Sequence, residues 1–191
     1  MVNEVARVVS VHVGAPGTLD KDGCARIEVA LDGVVGDRHR GYSRQAGQGE
    51  KQHEGSERRN ERMWSAVSLE ELAEISQAMG LAEPLSASSL GANICVEGIA
   101  SLSRLPRGSV LEFSSGAVLM VEEYNPPCVE MDASLARNYR SAAGAPLDKG
   151  AFSGAAKFLR GIVGVVEVAG TISSGDGIRV VPESSPRWLQ Q

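Results

Sequence analysis

Cysteine and histidine are scarce in this sequence, at three residues each, and they do not cluster. Cys24, Cys95 and Cys128 are widely spaced with no CxxC pair. An odd, scattered set argues against a disulfide framework and for a reducing, cytoplasmic setting. His12, His39 and His53 form no HxxxH or HExxH pattern, so the common zinc signatures are missing. No stretch approaches the ~20 apolar residues of a membrane span. The opening MVNEVARVVSVHVG lacks the basic and then apolar regions of a signal peptide. Basic charge is also short, with 19 Lys and Arg against 24 Asp and Glu, which disfavours a general nucleic-acid binder. There is no GxxxxGK[ST] loop, no GxGxxG turn leading from strand to helix, and no serine nucleophile elbow.

Glycine, by contrast, is plentiful. The 22 glycines in 191 residues are scattered and not periodic, which suggests many tight turns between short elements. Residues 5–13 place Val9, Val11 and Val13 alternately with Ser10 and His12, the period of a half-buried strand with His12 on its solvated face. Residues 24–31 repeat the alternation with Ile27, Val29 and Leu31, after turn signals at Asp20 to Gly23. Cys24 and Cys95 fall inside strand patterns and are expected to be buried structural thiols. The segment SLEELAEISQAMG predicts a helix over 68–80, with Ser68 and Glu71 as a capping box, an apolar stripe through Leu69, Leu72, Ile75 and Met79, and Gly80 at the C-terminal stop.

Strands return at ANICVEG, at 109–113 and at 117–123, the last two joined as a hairpin through Ser114 to Gly116. A polar helix or irregular segment follows from about Asp132 to Ser141, and the final strands are expected at 158–168 and 177–182. The fold class is therefore mainly β with a few helices (α+β), read as one domain over 1–191. A closed or nearly closed β-barrel is the expected form, because it removes the exposed edges of so many short strands. The tail 183–191 is expected to be peripheral, with Trp188 docking it onto the barrel.

Residues 42–62 interrupt this pattern with almost nothing apolar, which suggests a solvated insertion or a lid. Residues 38–62 carry a charge of +3, leaving −8 on the rest of the chain. That asymmetry favours an anionic ligand under a basic lid, or an acidic partner docked on it.

Two constellations carry chemistry. Cys128 follows Pro126 and Pro127, which restrict the backbone ahead of it, and stands just past a strong strand. A thiolate held there could be a nucleophile, a carrier of terminal sulfur or a soft metal ligand. In GDRHRG, residues 36–41, flanking glycines permit close backbone approach to a ligand. Arg38, His39 and Arg40 supply donors for an anion. His39 and Asp37 are candidate acid–base residues.

Taken together and in order, GDRHRG, SLEEL, LGANICVEGI, LSRLPRGSVLEF, AVLMVEEYNPPC and RGIVGVVEVAGTISSGDGIRV resemble the MOSC domain of molybdenum cofactor sulfurases and small stand-alone bacterial proteins. The resemblance runs from about residue 5 to residue 182. It implies a β-barrel around one cysteine, matching Cys128, which serves as a molybdenum ligand or sulfur carrier. It also implies a cofactor-binding set of Arg38, Arg40, Asn93 and Asn125 for a molybdenum–molybdopterin cofactor. Some stand-alone members resemble reductases of N-hydroxylated bases. The insertion at 42–62 is longer than the family pattern, and no segment resembles a pyridoxal-phosphate desulfurase domain, so sulfur transfer would need a separate donor or acceptor protein. Two other classes stay open on the residues: a cysteine- or metal-dependent lyase or hydrolase reusing the barrel, and a non-catalytic module that binds an anionic ligand.

Overall fold

Short strands, many of them separated by glycines in the left-handed region, are the commonest elements of the fold, and a computed structural model describes residues 6–183 of the chain. The strands are β1 (Arg7–Val13), β2 (Asp22–Cys24), β3 (Arg26–Ala30), β4 (Gly33–Val34), β5 (Ser43–Gln45), β6 (Glu57–Arg59) and β7 (Trp64–Ser68). Helix α1 (Leu69–Ala78) leads to β8 (Ile94–Glu97), a 3₁₀ turn (Leu102–Arg104), β9 (Val110–Phe113) and β10 (Val118–Tyr124). Helices α2 (Val129–Asn138) and α3 (Ala151–Ala155) precede β11 (Ile162–Val168), β12 (Gly170–Ser173) and β13 (Ile178–Val181).

Eight strands form one sheet in the order β13-β9-β10-β11-β7-β8-β1-β2, with smaller sheets β12-β3-β4 and β5-β6 beside it. Only β7 and β8 run parallel in the large sheet, because α1 carries the chain back between them. The expected barrel is not confirmed, since no ladder joins β13 to β2. Instead a single bridge from Arg7 to Gly177 ties β1 to the turn before β13, supported by Val8 N–H donating to the Asp176 carbonyl at 2.9 Å. The edge strands are only three and four residues long, too short to pair around the circumference.

The main core lies among the sheets, around Val11, Ile27, Trp64, Ile94, Leu119 and Ile172. A second cluster packs Leu72 and Ile75 of α1, Met131 and Leu135 of α2 and Phe152 of α3 against Val67 and Cys95. A bulge between Val8 and Ser10 shifts the register of β1, so Val8 joins Val11 in the main core and Val9 turns to the helical cluster. Strict alternation through Val9, Val11 and Val13 therefore fails, and His12 is buried rather than solvated, with Nδ1 lacking a partner. Burial, followed by the nearby charge of Lys21, lowers the His12 pKa.

Leu31 is exposed beyond the end of β3, and the turn expected at Asp20 to Gly23 ends in the paired strand β2. Cys24 is exposed on that edge strand, whereas Cys95 is buried as expected, its thiol pushed up to about 11 by desolvation. The hairpin through Ser114 to Gly116 forms as read, and the final strands gain an unforeseen neighbour in β12. Helix α1 matches its predicted span, with Ser68 Oγ accepting from the Glu71 N–H at 3.2 Å and Gly80 in the left-handed region at φ 58°. Only half of the capping box forms, because the Glu71 carboxylate turns away to Ser103. Residues 42–62 include the β5-β6 hairpin, in which Arg44 and Arg58 pair with Glu50 and Glu61, where an open polar loop had been one expectation. No helix among the described residues is long and apolar enough to cross a membrane. The docking expected of Trp188 lies outside the described residues.

Candidate functional site

The loop after β4, the start of α2, the segment before β11 and the β5-β6 hairpin converge on a cavity of about 460 Å³. Arg38, His39, Asn125 and Cys128 line it, four of the side chains singled out from sequence. Arg44, Arg62 and Arg160 join them, and Glu130 is the one carboxylate in the lining.

Cys128 is the N-cap residue of α2, extended at φ −122° and ψ 157°, and its side chain makes no capping hydrogen bond. Pro126 and Pro127 keep Asn125 and Pro126 out of helical backbone, so the helix cannot begin before residue 127. The thiol is exposed and belongs to no disulfide. Beside it, Arg62 donates to Asn125 Oδ1 at 2.6 Å, so Asn125 orients a guanidinium.

Arg38 donates to the carbonyl of Leu19 at 2.9 Å and reaches His39 Nε2 at 3.3 Å. Gly91 is required at this wall, because a Cβ there would stand 2.3 Å from the Leu19 carbonyl oxygen, at φ 65°. Arg160 is only 6 % exposed. Its Nε has no partner, and its terminal nitrogen meets only the Leu90 carbonyl, at 3.4 Å. Arg38, Arg62 and Arg160 therefore face the cavity with no carboxylate partner among the described residues. Burial pushes the Arg160 guanidinium below its usual range, while the charge of Cys128 pulls it back up. An arginine stays protonated at neutral pH in either case.

His39 is an exposed residue at the rim of the cavity. Even so, desolvation, with the charges of Lys21, Arg38 and Arg62 adding to it, pushes its pKa down to about 4 against the opposing charge of Asp37. It is therefore neutral at pH 7, where proton transfer near neutrality had been expected of it.

Three sequence candidates stand outside the cavity. Asp37 is buried, and Oδ2 accepts from Gly14 N at 2.9 Å and Asn93 Nδ2 at 2.8 Å while Lys21 Nζ lies 2.8 Å away. Its contact with His39 is through the backbone N–H, at 3.0 Å, and not the ring. Burial would raise the Asp37 pKa, but the charge and hydrogen bond of Lys21, with the two backbone donors, outweigh it and hold the carboxyl low. Asn93 is fully buried and ties β1 to β7, donating to the His12 carbonyl at 3.1 Å and accepting from Ser65 N at 3.1 Å. Arg40 points to the surface and pairs with Asp32 at 2.9 Å. Asp37 and Asn93 thus brace the loop that presents Arg38 and His39. Arg40 meets no part of the cavity.

Sequence reading missed Lys21 and Arg160, and held Arg62 only as one of the basic residues of the 38–62 lid. Lys21 sits in a KDG turn signal, and Arg160 precedes a glycine at a strand start, so neither carries a local mark of burial. Arg44 reaches the cavity from the insertion, held by Glu50 at 2.8 Å and by Glu61. The hairpin is fastened to the body through buried Glu122, which pairs with Arg59 and Arg107, each at 2.7 Å.

Comparison with known proteins identifies the family and the fold. The MOSC domain model matches residues 36–179. A Bacillus subtilis (strain 168) protein, YuaD, named for metal–sulfur cluster biosynthesis, is 36% identical over 156 residues, covering 81% of this chain and 79% of that one. The crystal structure of Bacillus subtilis YuaD superposes with a TM-score of 0.88 at 31% identity, over 94% of this chain and 97% of the other. YiiM from Geobacillus stearothermophilus shares the fold, with a TM-score of 0.54 at 15% identity over 94% and 75% of the two chains. YiiM from Escherichia coli is similar at 0.52 and 14%, over 95% and 72%. On the domain match and the YuaD relationship together, this chain belongs to the MOSC domain family.

Proposed function

We propose that the cavity binds a phosphorylated, pterin-sized anion of the molybdenum-cofactor kind, with Cys128 as the sulfur that meets its metal or carries sulfur towards it. The observation that carries this reading is the placement of three carboxylate-free guanidiniums, Arg38, Arg62 and Arg160, around one cavity with an exposed thiol. Arginine forks suit oxoanions because they donate two parallel hydrogen bonds. A buried guanidinium nitrogen without a partner is costly until a ligand supplies one.

The donor set fits such a group. Among the described residues no three His, Cys, Asp or Glu side chains are arranged to hold a metal ion, so a metal would arrive within a cofactor and take a single soft ligand, Cys128, from the protein. A bound molybdenum cofactor would supply the redox or atom-transfer chemistry at its metal. Arg38, Arg62 and Arg160 would hold the anion, neutral His39 would offer a hydrogen bond without adding charge, and Lys21, Asp37 and Asn93 would keep the Arg38–His39 loop in place.

As a carrier, the Cys128 thiolate would attack the outer sulfur of a donor persulfide. A new S–S bond forms on Cys128, the donor S–S bond breaks, and the donor leaves as a thiolate with no net oxidation. The exposure of Cys128 at the rim favours a donor or acceptor protein as partner, and the name of the Bacillus relative is consistent with sulfur handling. Reduction of N-hydroxylated substrates is the reaction this site would perform if the cofactor stays bound. An Asp37–His39 acid–base pair, one form of the hydrolase or lyase reading, gains no support from an Asp37 already held by Gly14, Asn93 and Lys21.

The test is purification from a host that makes the cofactor, followed by metal and pterin analysis and intact-mass measurement. Molybdenum and pterin present in wild type and lost in Cys128→Ser support the ligand role. One added sulfur on Cys128 supports the carrier role. Wild type and variant equally empty, with no persulfide on Cys128, overturn both.

A further inference from the structure

Arg160 is aimed into the cavity by a turn that the chain does not adopt freely. Phe158 is the single non-glycine residue at positive φ among the described residues, at 65°, and such a conformation in a bulky side chain persists only where its surroundings impose it. Tyr124 is one source of that constraint. Its hydroxyl accepts from the Phe158 N–H at 2.7 Å and donates to the Ala156 carbonyl at 3.2 Å, with the two rings 5.7 Å apart.

Gly161 closes the turn from the other side. It lies at φ 84°, and a Cβ would stand 1.9 Å from the Ala66 carbonyl oxygen, so no other residue fits. Its N–H donates to Ser103 Oγ at 2.6 Å, and its carbonyl accepts from Asn125 N at 3.0 Å. Ser103 is itself fixed by Glu71, which accepts from Ser103 N at 2.8 Å and from Ser103 Oγ at 2.7 Å.

The carboxylate takes the hydroxyl proton and so leaves a serine lone pair for Gly161. Glu71 is almost wholly buried, and among the described residues no arginine or lysine pairs with it. A helix cap would have kept it at the surface, so its place under the turn is costly and calls for a reason.

We infer that Glu71, acting through Ser103, and Tyr124, acting through Phe158, are positioning residues that hold the Arg160 guanidinium in the cavity beside Cys128. The inference rests on the cavity being an anion site, as proposed above. The two residues clamp the Ala156–Gly161 segment from opposite ends, and Arg160 stands between the clamped points.

The experiment compares alkylation of Cys128 by iodoacetate and by iodoacetamide, read peptide by peptide with mass spectrometry. Both reagents consume the thiolate, so the ratio of their rates cancels its population and reports the local charge that an anion meets. Cys24, exposed in the same chain, is the internal reference. In wild type the ratio at Cys128 is expected to exceed that at Cys24. Arg160→Gln should lower it about threefold, which is what a unit charge at roughly 6 Å supplies in a water-like dielectric.

Glu71→Ala, Ser103→Ala and Tyr124→Phe should each lower the ratio towards the Arg160→Gln value with the far-ultraviolet circular dichroism unchanged. Ser103→Thr, which keeps the hydroxyl, should restore it. Should Glu71→Ala fail to fold, Ser103→Ala and Tyr124→Phe carry the test. A wild-type ratio no different from that of Cys24 defeats the anion-site reading itself. A wild-type preference that Arg160→Gln abolishes, and that the Ser103 and Tyr124 variants leave intact, overturns the positioning role alone.

Discussion

Lys21 Nζ stands 2.8 Å from Asp37 Oδ2, and neither side chain is exposed to solvent at all. Desolvation lowers the lysine to about 8, against the opposing pull of Asp37, while the carboxyl is held below its usual range. Breaking such a pair from one side leaves the other charge buried and alone, which costs roughly 3–5 kcal/mol. Lys21→Met and Asp37→Asn are each expected to destabilise on that scale in urea unfolding, and the double variant by less than their sum. The Asp37 part of the stability is present above the ordinary aspartate pKa and is lost as the pH falls through its lowered folded value.

Glu71 titrates in the opposite sense. Burial raises its pKa from 4.5 to about 7, with Glu70 and Glu74 on the same helix adding to the rise and the Ser103 hydrogen bonds opposing it. Between those values the folded protein holds a proton that the unfolded chain has released. Stability therefore falls as the pH rises from 4.5 to 7, by at most roughly 3 kcal/mol. Glu71→Gln should flatten that slope in thermal or urea unfolding measured across pH 4–8. An unchanged slope would mean another group is responsible.

Arg62 meets Asn125 and no carboxylate, so its charge is available to a ligand. Arg62→Ala should weaken binding of inorganic phosphate about tenfold, the worth of one charge-assisted hydrogen bond, and reduce its salt dependence. Titration calorimetry at two ionic strengths reads both effects. Equal affinity in variant and wild type would place the anion elsewhere.

Glu122 is the fastener of the β5-β6 hairpin, clamped by Arg59 from the hairpin and Arg107 from the body. Its side chain is only 4% exposed, so these pairs are shielded from salt on the carboxylate side. Glu122→Gln should speed amide hydrogen exchange in residues 43–59 while the β10-β11 ladder stays protected. Uniform exchange across the chain would instead report a global loss of stability.

The helix over 68–80, the hairpin at Ser114 to Gly116 and most strands were legible because periodicity, caps and turn residues act over a few neighbours. Cys128 was legible for the same reason, since the two prolines before it are a local signal. The bulge in β1 was not, because one extra residue in a strand leaves no mark in composition and still puts Val8 in the main core in place of Val9. Charge misled in a specific way. The excess basic residues of 38–62 suggested a cationic lid, but Arg44 and Arg58 are engaged by Glu50 and Glu61 within the hairpin, so only the two ends of the segment, Arg38 and Arg62, bring carboxylate-free charge to the cavity among the described residues, and Arg160 brings the third from the body.

A β-rich fold with one capped helix, a proline-braced cysteine and the ordered segments of a MOSC domain could all be read from neighbouring residues. Each follows from short-range chemistry. Which polar groups lose their water is settled by the packing of the folded chain. It buried Lys21 against Asp37, drew Glu71 from a helix cap to Ser103, and left Arg160 unpaired beside a thiol 32 residues away in the chain. Desolvation and pairing depend on which distant segments pack together. No stretch of neighbouring residues encodes that.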